Sequence, residues 1–138
     1  MRFWDSSALV PLCLEQPRSA EVRAGHGDDP GMVVWWGSTI ECASAIARLH
    51  REGHLDGRQE AQARRLLTAL GASWFEVQPS DALREQALRI LRLHPLRAAD
   101  AMQLAAALEW SGSPATGGFI TFDERLSAAA QREGFTTE

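Results

Sequence analysis

The feature that most constrains the fold is the alternation of short strand-like segments with helix-like segments along the whole chain. Segments rich in Val, Ile, Phe and Trp occur at residues 1–4, 32–35, 74–77 and 119–121, and "FTTE" at 135–138 can add an edge strand. Helix-like spacing and helix start and stop signals mark 6–14, 18–24, 38–52, 56–70, 80–94, 98–110 and 123–132. Alternation of this kind predicts a parallel sheet covered on both faces. We therefore expect an α/β fold, a three-layer α/β/α sandwich, in one domain over residues 1–138.

Composition and the length of the apolar segments indicate which cellular location to expect. Its 138 residues are 45% hydrophobic and 23% charged, which is ordinary for a globular protein. The longest apolar cluster, residues 32–36, is too short to span a bilayer, and the N-terminus lacks a signal-peptide core. We expect no membrane association and a cytoplasmic location. Cys13 and Cys42 are far apart in sequence, so neither a disulfide framework nor a thiolate zinc site is expected.

The charge distribution bears on nucleic-acid binding. The net charge of −4 argues against a protein that simply wraps nucleic acid. All fourteen basic residues are Arg, and nine of them lie at 42–97, where only six acids occur. Arginine pairs well with phosphate, although a solvated helix face is the commoner explanation for any single one. The candidates for binding phosphate groups are Arg48, Arg51, Arg64, Arg65 and Arg97.

Four acids stand at positions where a parallel sheet would gather them. Asp5 and Asp123 follow predicted strands, Glu41 comes a short loop after one, and Asp100 begins an alanine-rich helix. Strand carboxyl ends meet at one edge of such a sheet, which is where ligands bind. Carboxylates gathered there repel one another unless cations balance them, and oxygen-only ligands favour Mg²⁺ or Mn²⁺. A pair of such ions is a common means of cutting phosphodiesters.

Each acid also has a purely structural explanation. Asp5 and Asp123 can be helix N-caps, and Asp100 gains from the dipole of its helix. "STIE" reads as a capping box in which Ser38 is the N-cap and Glu41 binds back to it. The set of four is harder to explain in this way, because Asp100 lies among apolar residues, where a charge needs a partner or a metal.

The chain resembles a known family through four of its segments taken together. "WDSSALV", "STIECASAIARL", "LRAADAMQLAAA" and "FITFDERLSAAA" are similar, in order, to the acidic motifs of the PIN-domain family, and within it to the VapC-type toxin ribonucleases. The resemblance implies an Mg²⁺- or Mn²⁺-dependent endoribonuclease with an RNA substrate, a cognate antitoxin and a homodimeric state. It implies that the metal-binding and catalytic acids are Asp5, Glu41, Asp100 and Asp123. Ser6 and Thr121 occupy positions where the family often has supporting hydroxyls.

Other functions remain as alternatives. A non-catalytic PIN-like module that binds RNA or protein is one, although the presence of all four acids speaks against it. An aspartyl-nucleophile enzyme built on Asp5 would be expected to have a lysine near the phosphate, and the chain has none. His50 and His54 have metal-pair spacing, but Gly53 is expected to end the helix between them. Cys42 lacks a partner His for nucleophilic catalysis.

Two features depart from the family pattern. "VVWWGS" places two tryptophans before the second motif, so that Trp36 is either exposed on a partner surface or packed in the core. Basic residues are few outside the middle segment, which favours a narrow RNA substrate.

Overall fold

The computed structural model describes residues 1–138 and contains five strands and seven helices. The strands are β1 (Arg2–Trp4), β2 (Met32–Trp35), β3 (Phe75–Val77), β4 (Gly118–Ile120) and β5 (Thr136–Thr137). The helices are α1 (Ser6–Cys13), α2 (Ser19–Asp28), α3 (Ser38–Arg51), α4 (Gly57–Gly71), α5 (Asp81–Leu93), α6 (Ala98–Ser111) and α7 (Glu124–Arg132).

The five strands form one sheet in the order β3-β2-β1-β4-β5, and every neighbouring pair is parallel. The first strand of the chain is therefore the central strand, paired with β2 on one side and β4 on the other. The segment "FTTE" does supply the last edge strand, since Thr136 and Thr137 pair with β4. No helix combines the length and apolar character that a membrane span requires.

Side chains of the central strands alternate between two apolar layers, as the period of a strand requires. Phe3 and Val33 belong to a cluster of 18 buried residues that includes residues of α5, α6 and α7. Trp4 and Val34 belong to a cluster of 13 that includes residues of α1, α2, α3 and α4. The sheet is thus covered on both faces, and the predicted α/β/α sandwich is confirmed.

Helix α2 differs from its prediction. The expected helix ended at residue 24 because a segment rich in Gly, Asp and Pro follows, but α2 continues to Asp28. Arg2 explains the extension, because its guanidinium donates to the carbonyl of Gly25 at 2.5 Å and to that of Asp29 at 3.5 Å. Cationic groups stabilise the free carbonyls at a helix C-terminus. A contact from a distant strand thus overrides the local glycine signal.

Candidate active site

Asp5 lies directly after the central strand, and its side chain is almost completely buried at 3% exposure. It caps α1 as predicted, since its Oδ2 atom accepts from the Ser7 amide at 3.3 Å. The same oxygen accepts from the hydroxyls of Ser7 at 2.6 Å and Thr121 at 2.9 Å. Burial raises the pKa of Asp5, and these hydrogen bonds only partly offset it. Oδ1 has one long contact, 3.4 Å from the hydroxyl of Ser6.

Glu41 lies in the first turn of α3 but is not part of a capping box. The N-cap of α3 is Gly37, which makes no side-chain capping hydrogen bond, so that prediction was wrong. The physical reason is burial: Ser38 is fully buried, and its hydroxyl accepts from Nε2 of Gln103 at 3.0 Å. The tertiary contact occupies the group that the local pattern assigned to the cap.

The Glu41 carboxylate is held in the same way as that of Asp5, by one oxygen. Its Oε2 atom accepts from Nε2 of Gln103 at 2.7 Å, while Oε1 is 3.4 Å from the Ser6 hydroxyl. Burial raises the pKa of Glu41 to about 7, and the negative charges of Asp5 and Asp100 act in the same direction. Ser6 therefore stands between the less occupied oxygens of Asp5 and Glu41.

Asp100 and Asp123 complete the acidic group from the other side of the sheet edge. Asp100 is in the first turn of α6, and burial, followed by the charges of Asp123 and Asp5, raises its pKa against the opposing effect of Arg97. Asp123 is the N-cap of α7, as predicted, and its Oδ1 accepts from the Leu126 amide at 2.8 Å. The structure thus brings all four predicted acids to one edge of the sheet.

Hydrogen bonds of the Ser7 and Thr121 hydroxyls connect the segment that contains Asp5 with the segment that contains Asp123. The hydroxyls of Ser7 and Thr121 lie 3.2 Å apart, and both bind Asp5. Ser7 Oγ also accepts from the amide of Phe122 at 2.9 Å, and Thr121 Oγ1 accepts from the amide of Asp123 at 3.1 Å. Thr121, one of the two predicted hydroxyls, therefore lies at the site. Ser6, the other, lies 3.4 Å from both Asp5 Oδ1 and Glu41 Oε1.

Sequence reasoning missed three of these polar residues. Gln103 had a usable signal, because it follows Asp100 by three positions on a helix and such residues share a face. Ser7 is the second serine of "DSS", and only the first was predicted to support the site. Ser38 had been assigned to the cap.

An open cleft of about 490 Å³ borders two of the four acids, Asp100 and Asp123. Its lining residues are Pro95, Arg97, Asp100, Phe122, Asp123, Glu124 and Arg125. Of the five predicted RNA-binding arginines, only Arg97 lines it. The other four are exposed on the last turn of α3 and on α4, namely Arg48, Arg51, Arg64 and Arg65. Arg125 lines the cleft and had not been predicted.

The acidic group has the donor chemistry that a hard divalent cation prefers. All its donors are oxygens. Burial raises the pKa values of Asp5, Glu41 and Asp100, and neighbouring carboxylates add to the rise at Glu41 and Asp100. With the side chains as they stand, no three His, Cys, Asp or Glu residues lie close enough together to hold a metal ion. The acids therefore match a hard cation in donor type, and their present arrangement is not a complete ligand set.

The other candidate sites are not assembled. The Nδ1 atom of His50 lies 3.0 Å from a carboxylate oxygen of Glu60, and α3 ends before His54. Both cysteines are buried and free. Burial raises the pKa of Cys42, which makes a thiolate nucleophile unfavourable there.

Comparisons with known proteins agree with this geometry. The model of the PIN domain matches residues 3–132, a span that includes all four acids. Ribonuclease VapC47 of Mycobacterium tuberculosis (strain CDC 1551 / Oshkosh) is 29% identical over 143 residues, covering 99% of this chain and 95% of the relative.

Two solved structures share the fold. The VapC20 toxin of Mycobacterium tuberculosis, which cleaves the sarcin–ricin loop, superposes with a TM-score of 0.68 at 19% identity, covering 99% of this chain and 97% of that one. A toxin–antitoxin complex from Klebsiella pneumoniae matches with a TM-score of 0.67 at 18% identity, covering 93% and 91%. The predicted resemblance is confirmed, and the chain belongs to the PIN domain family.

Proposed function

We propose that the protein is an Mg²⁺- or Mn²⁺-dependent endoribonuclease and the toxin of a toxin–antitoxin pair. The observation that carries this proposal is the convergence of four carboxylates, from four distant segments, at one edge of the sheet beside an open cleft. The PIN family match and a relative that is a ribonuclease support the reaction. The fold shared with a VapC toxin supports the biological class.

The residues that would hold the cation are Asp5, Glu41, Asp100 and Asp123. A bound Mg²⁺ or Mn²⁺ supplies positive charge beside the scissile phosphate and lowers the pKa of the attacking water. Ser7 and Thr121 occupy Oδ2 of Asp5, and Gln103 occupies Oε2 of Glu41. Each carboxylate is thereby fixed in orientation while its second oxygen stays available.

The cleft also offers groups for the RNA backbone. Arg97 and Arg125 line it together with Asp100 and Asp123, so a phosphate can approach the acids between two guanidiniums. These two arginines are the phosphate-binding residues of this proposal. The four exposed arginines on α3 and α4 remain predicted contacts for RNA outside the cleft.

The proposed protein partners are a cognate antitoxin and a second copy of the chain. The Klebsiella pneumoniae neighbour is a toxin–antitoxin complex, which supports the first. Trp35 is buried, whereas Trp36 is 46% exposed and Ile40 is 63% exposed, so large apolar side chains lie on the surface at the start of α3. That exposure favours the partner-surface interpretation of Trp36 over core packing.

Cleavage of RNA with and without metal tests the proposal. Purified protein, free of antitoxin, is incubated with total RNA and Mn²⁺, and new RNA ends are sequenced. We expect discrete ends that are absent in EDTA and absent with Asp100→Asn, which keeps the side-chain volume but removes the charge. Asp81→Asn is the matched control, since Asp81 occupies the first turn of α5 and its side chain is 99% exposed.

Two results would contradict the proposal. Cleavage by Asp100→Asn at the wild-type rate would remove that carboxylate from the reaction. RNA binding without cleavage by the wild-type protein would favour the non-catalytic binding module instead.

A further inference from the structure

Phe122 occupies a fixed position within the site segment, between Thr121 and Asp123. Its amide donates to Ser7 Oγ at 2.9 Å, so its backbone is tied to the same hydroxyl that holds Asp5. The side chain is half-buried, and it lines both the acidic cleft and a second, smaller cavity of about 290 Å³. An aromatic ring thus stands one residue away from two groups of the proposed catalytic site.

Arg18 lies on the face of this ring. Its guanidinium carbon is 3.5 Å from the centroid of the Phe122 ring, which is the contact distance of a guanidinium resting on an aromatic face. Glu21 holds the guanidinium by its edge, through two hydrogen bonds of 3.0 Å from Nε and Nη2. The Arg18 side chain nevertheless remains 49% exposed. Phe122 thus covers one face of the Arg18 guanidinium, and Glu21 binds its edge. The opposite face remains exposed.

The second cavity is lined by Arg18 and Phe122 together with acceptor groups. The carboxylate of Glu124 borders both cavities, and Ser127 also lines the second. Glu138 lines the second cavity as well, but its carboxylate already accepts from Arg2 at 2.8 Å. The only guanidinium at this cavity is already paired with Glu21. An anionic phosphate would be repelled here, whereas a planar group whose edge carries N–H donors would be accepted.

We propose that Arg18 and Phe122 form a stacking platform for a nucleobase next to the bond that is cut. The inference rests on the proposed ribonuclease function and adds a base-binding subsite to it. Unpaired RNA bases are commonly bound by stacking on aromatic rings and on guanidinium planes. Carboxylates accept hydrogen bonds from exocyclic amino groups, so the subsite favours adenine, cytosine or guanine over uracil.

Binding of short single-stranded RNA tests the platform apart from catalysis. Fluorescence anisotropy is measured with oligo-A, oligo-C and oligo-U on Asp100→Asn protein in Mn²⁺, so that the RNA stays intact. Arg18→Lys keeps the charge but loses the plane, and Phe122→Leu keeps an apolar side chain but loses the ring. Each of these substitutions should weaken the binding of oligo-A and oligo-C roughly ten-fold. Phe122→Tyr keeps the ring and should leave the affinity unchanged. Oligo-U should bind weakly throughout.

Matched controls come from the same residue types elsewhere. Arg23→Lys alters an exposed arginine on α2 that is paired with Glu15, and Phe75→Leu alters a ring that is 57% exposed on the opposite edge strand. Neither should change binding. In the catalytically intact protein, cleavage of a randomised RNA in Mn²⁺ should show a base preference beside the cut. Arg18→Lys and Phe122→Leu should lose that preference and raise KM more than they lower kcat.

The outcomes separate the two proposals. If wild-type protein cuts RNA but the two variants keep its affinity, KM and base preference, the platform is refuted and the ribonuclease stands. If the protein binds RNA through the platform without cutting it, the ribonuclease fails and the platform stands. If it neither binds nor cuts RNA, both are refuted.

Discussion

Glu41 should make the metal-free protein less stable as the pH rises. Its pKa is raised from an ordinary 4.5 to about 7, so the folded state favours the neutral carboxyl. Its contribution to stability is then fully present below pH 4.5 and is lost as the pH rises through about 7. A shift of that size corresponds to about 3 kcal/mol. Because the carboxylate is only partly buried and is screened by solvent, we expect about 2 kcal/mol.

The substitution Glu41→Gln isolates this effect. The amide removes the charge, and its Oε1 atom can still accept the hydrogen bond from Gln103. In EDTA at pH 8, the variant should be about 2 kcal/mol more stable than the wild type, or some 6 °C higher in Tm, and the difference should fall to about 0.5 kcal/mol at pH 5. Asp5 and Asp100 also have raised pKa values, so a smaller pH slope should persist in the variant.

The assay is urea denaturation followed by tryptophan fluorescence at pH values from 5 to 8.5, in EDTA and in Mn²⁺. Glu85→Gln on the exposed side of α5 is the control and should change nothing. Mn²⁺ should restore the stability that the wild-type protein loses above pH 7. It should not produce this increase in Glu41→Gln. Equal stability of the metal-free wild type at pH 5 and pH 8 would refute the raised pKa of Glu41.

Three further predictions concern the site and the helix behind it. Millimolar Mg²⁺ or Mn²⁺ should raise the wild-type Tm. At a metal concentration one hundred times Kd, the free energy of unfolding should increase by about 2.7 kcal/mol, and a similar increase in Asp100→Asn would contradict the proposed ligand set. Thr121→Val removes a donor to the buried Asp5 and should cost about 1–3 kcal/mol in urea denaturation, along with most of the cleavage rate; unchanged stability would show that this hydrogen bond is not needed. Ala105→Leu adds bulk at a fully buried position of α6 and should cost about 1–3 kcal/mol, and a wild-type urea midpoint would show spare space there.

The sequence predicted those features that depend on local pattern. Strand–helix alternation was sufficient for the sandwich, and the positions of Asp5, Glu41 and Asp123 soon after strands were sufficient to place them at one sheet edge. The failures came from long-range contacts. The Ser38–Gln103 hydrogen bond joins residues 65 positions apart and overrides a local capping pattern. Arg2 extends α2 beyond Gly25 through a contact over 23 positions. No short window of neighbouring residues contains both partners of such a pair.

The central position of β1 has a consequence for the order in which the protein matures. Strand β1 pairs with β4, and Asp5 accepts from Thr121, 116 positions later in the chain, so neither contact can form until that later segment has been synthesised. A nascent chain that lacks the last strands can bury much of its apolar surface, yet it leaves the central carboxylate without one of its fixed donors. Under the proposed function, the chain would gain ribonuclease activity only after the segment that contains Thr121 has been synthesised.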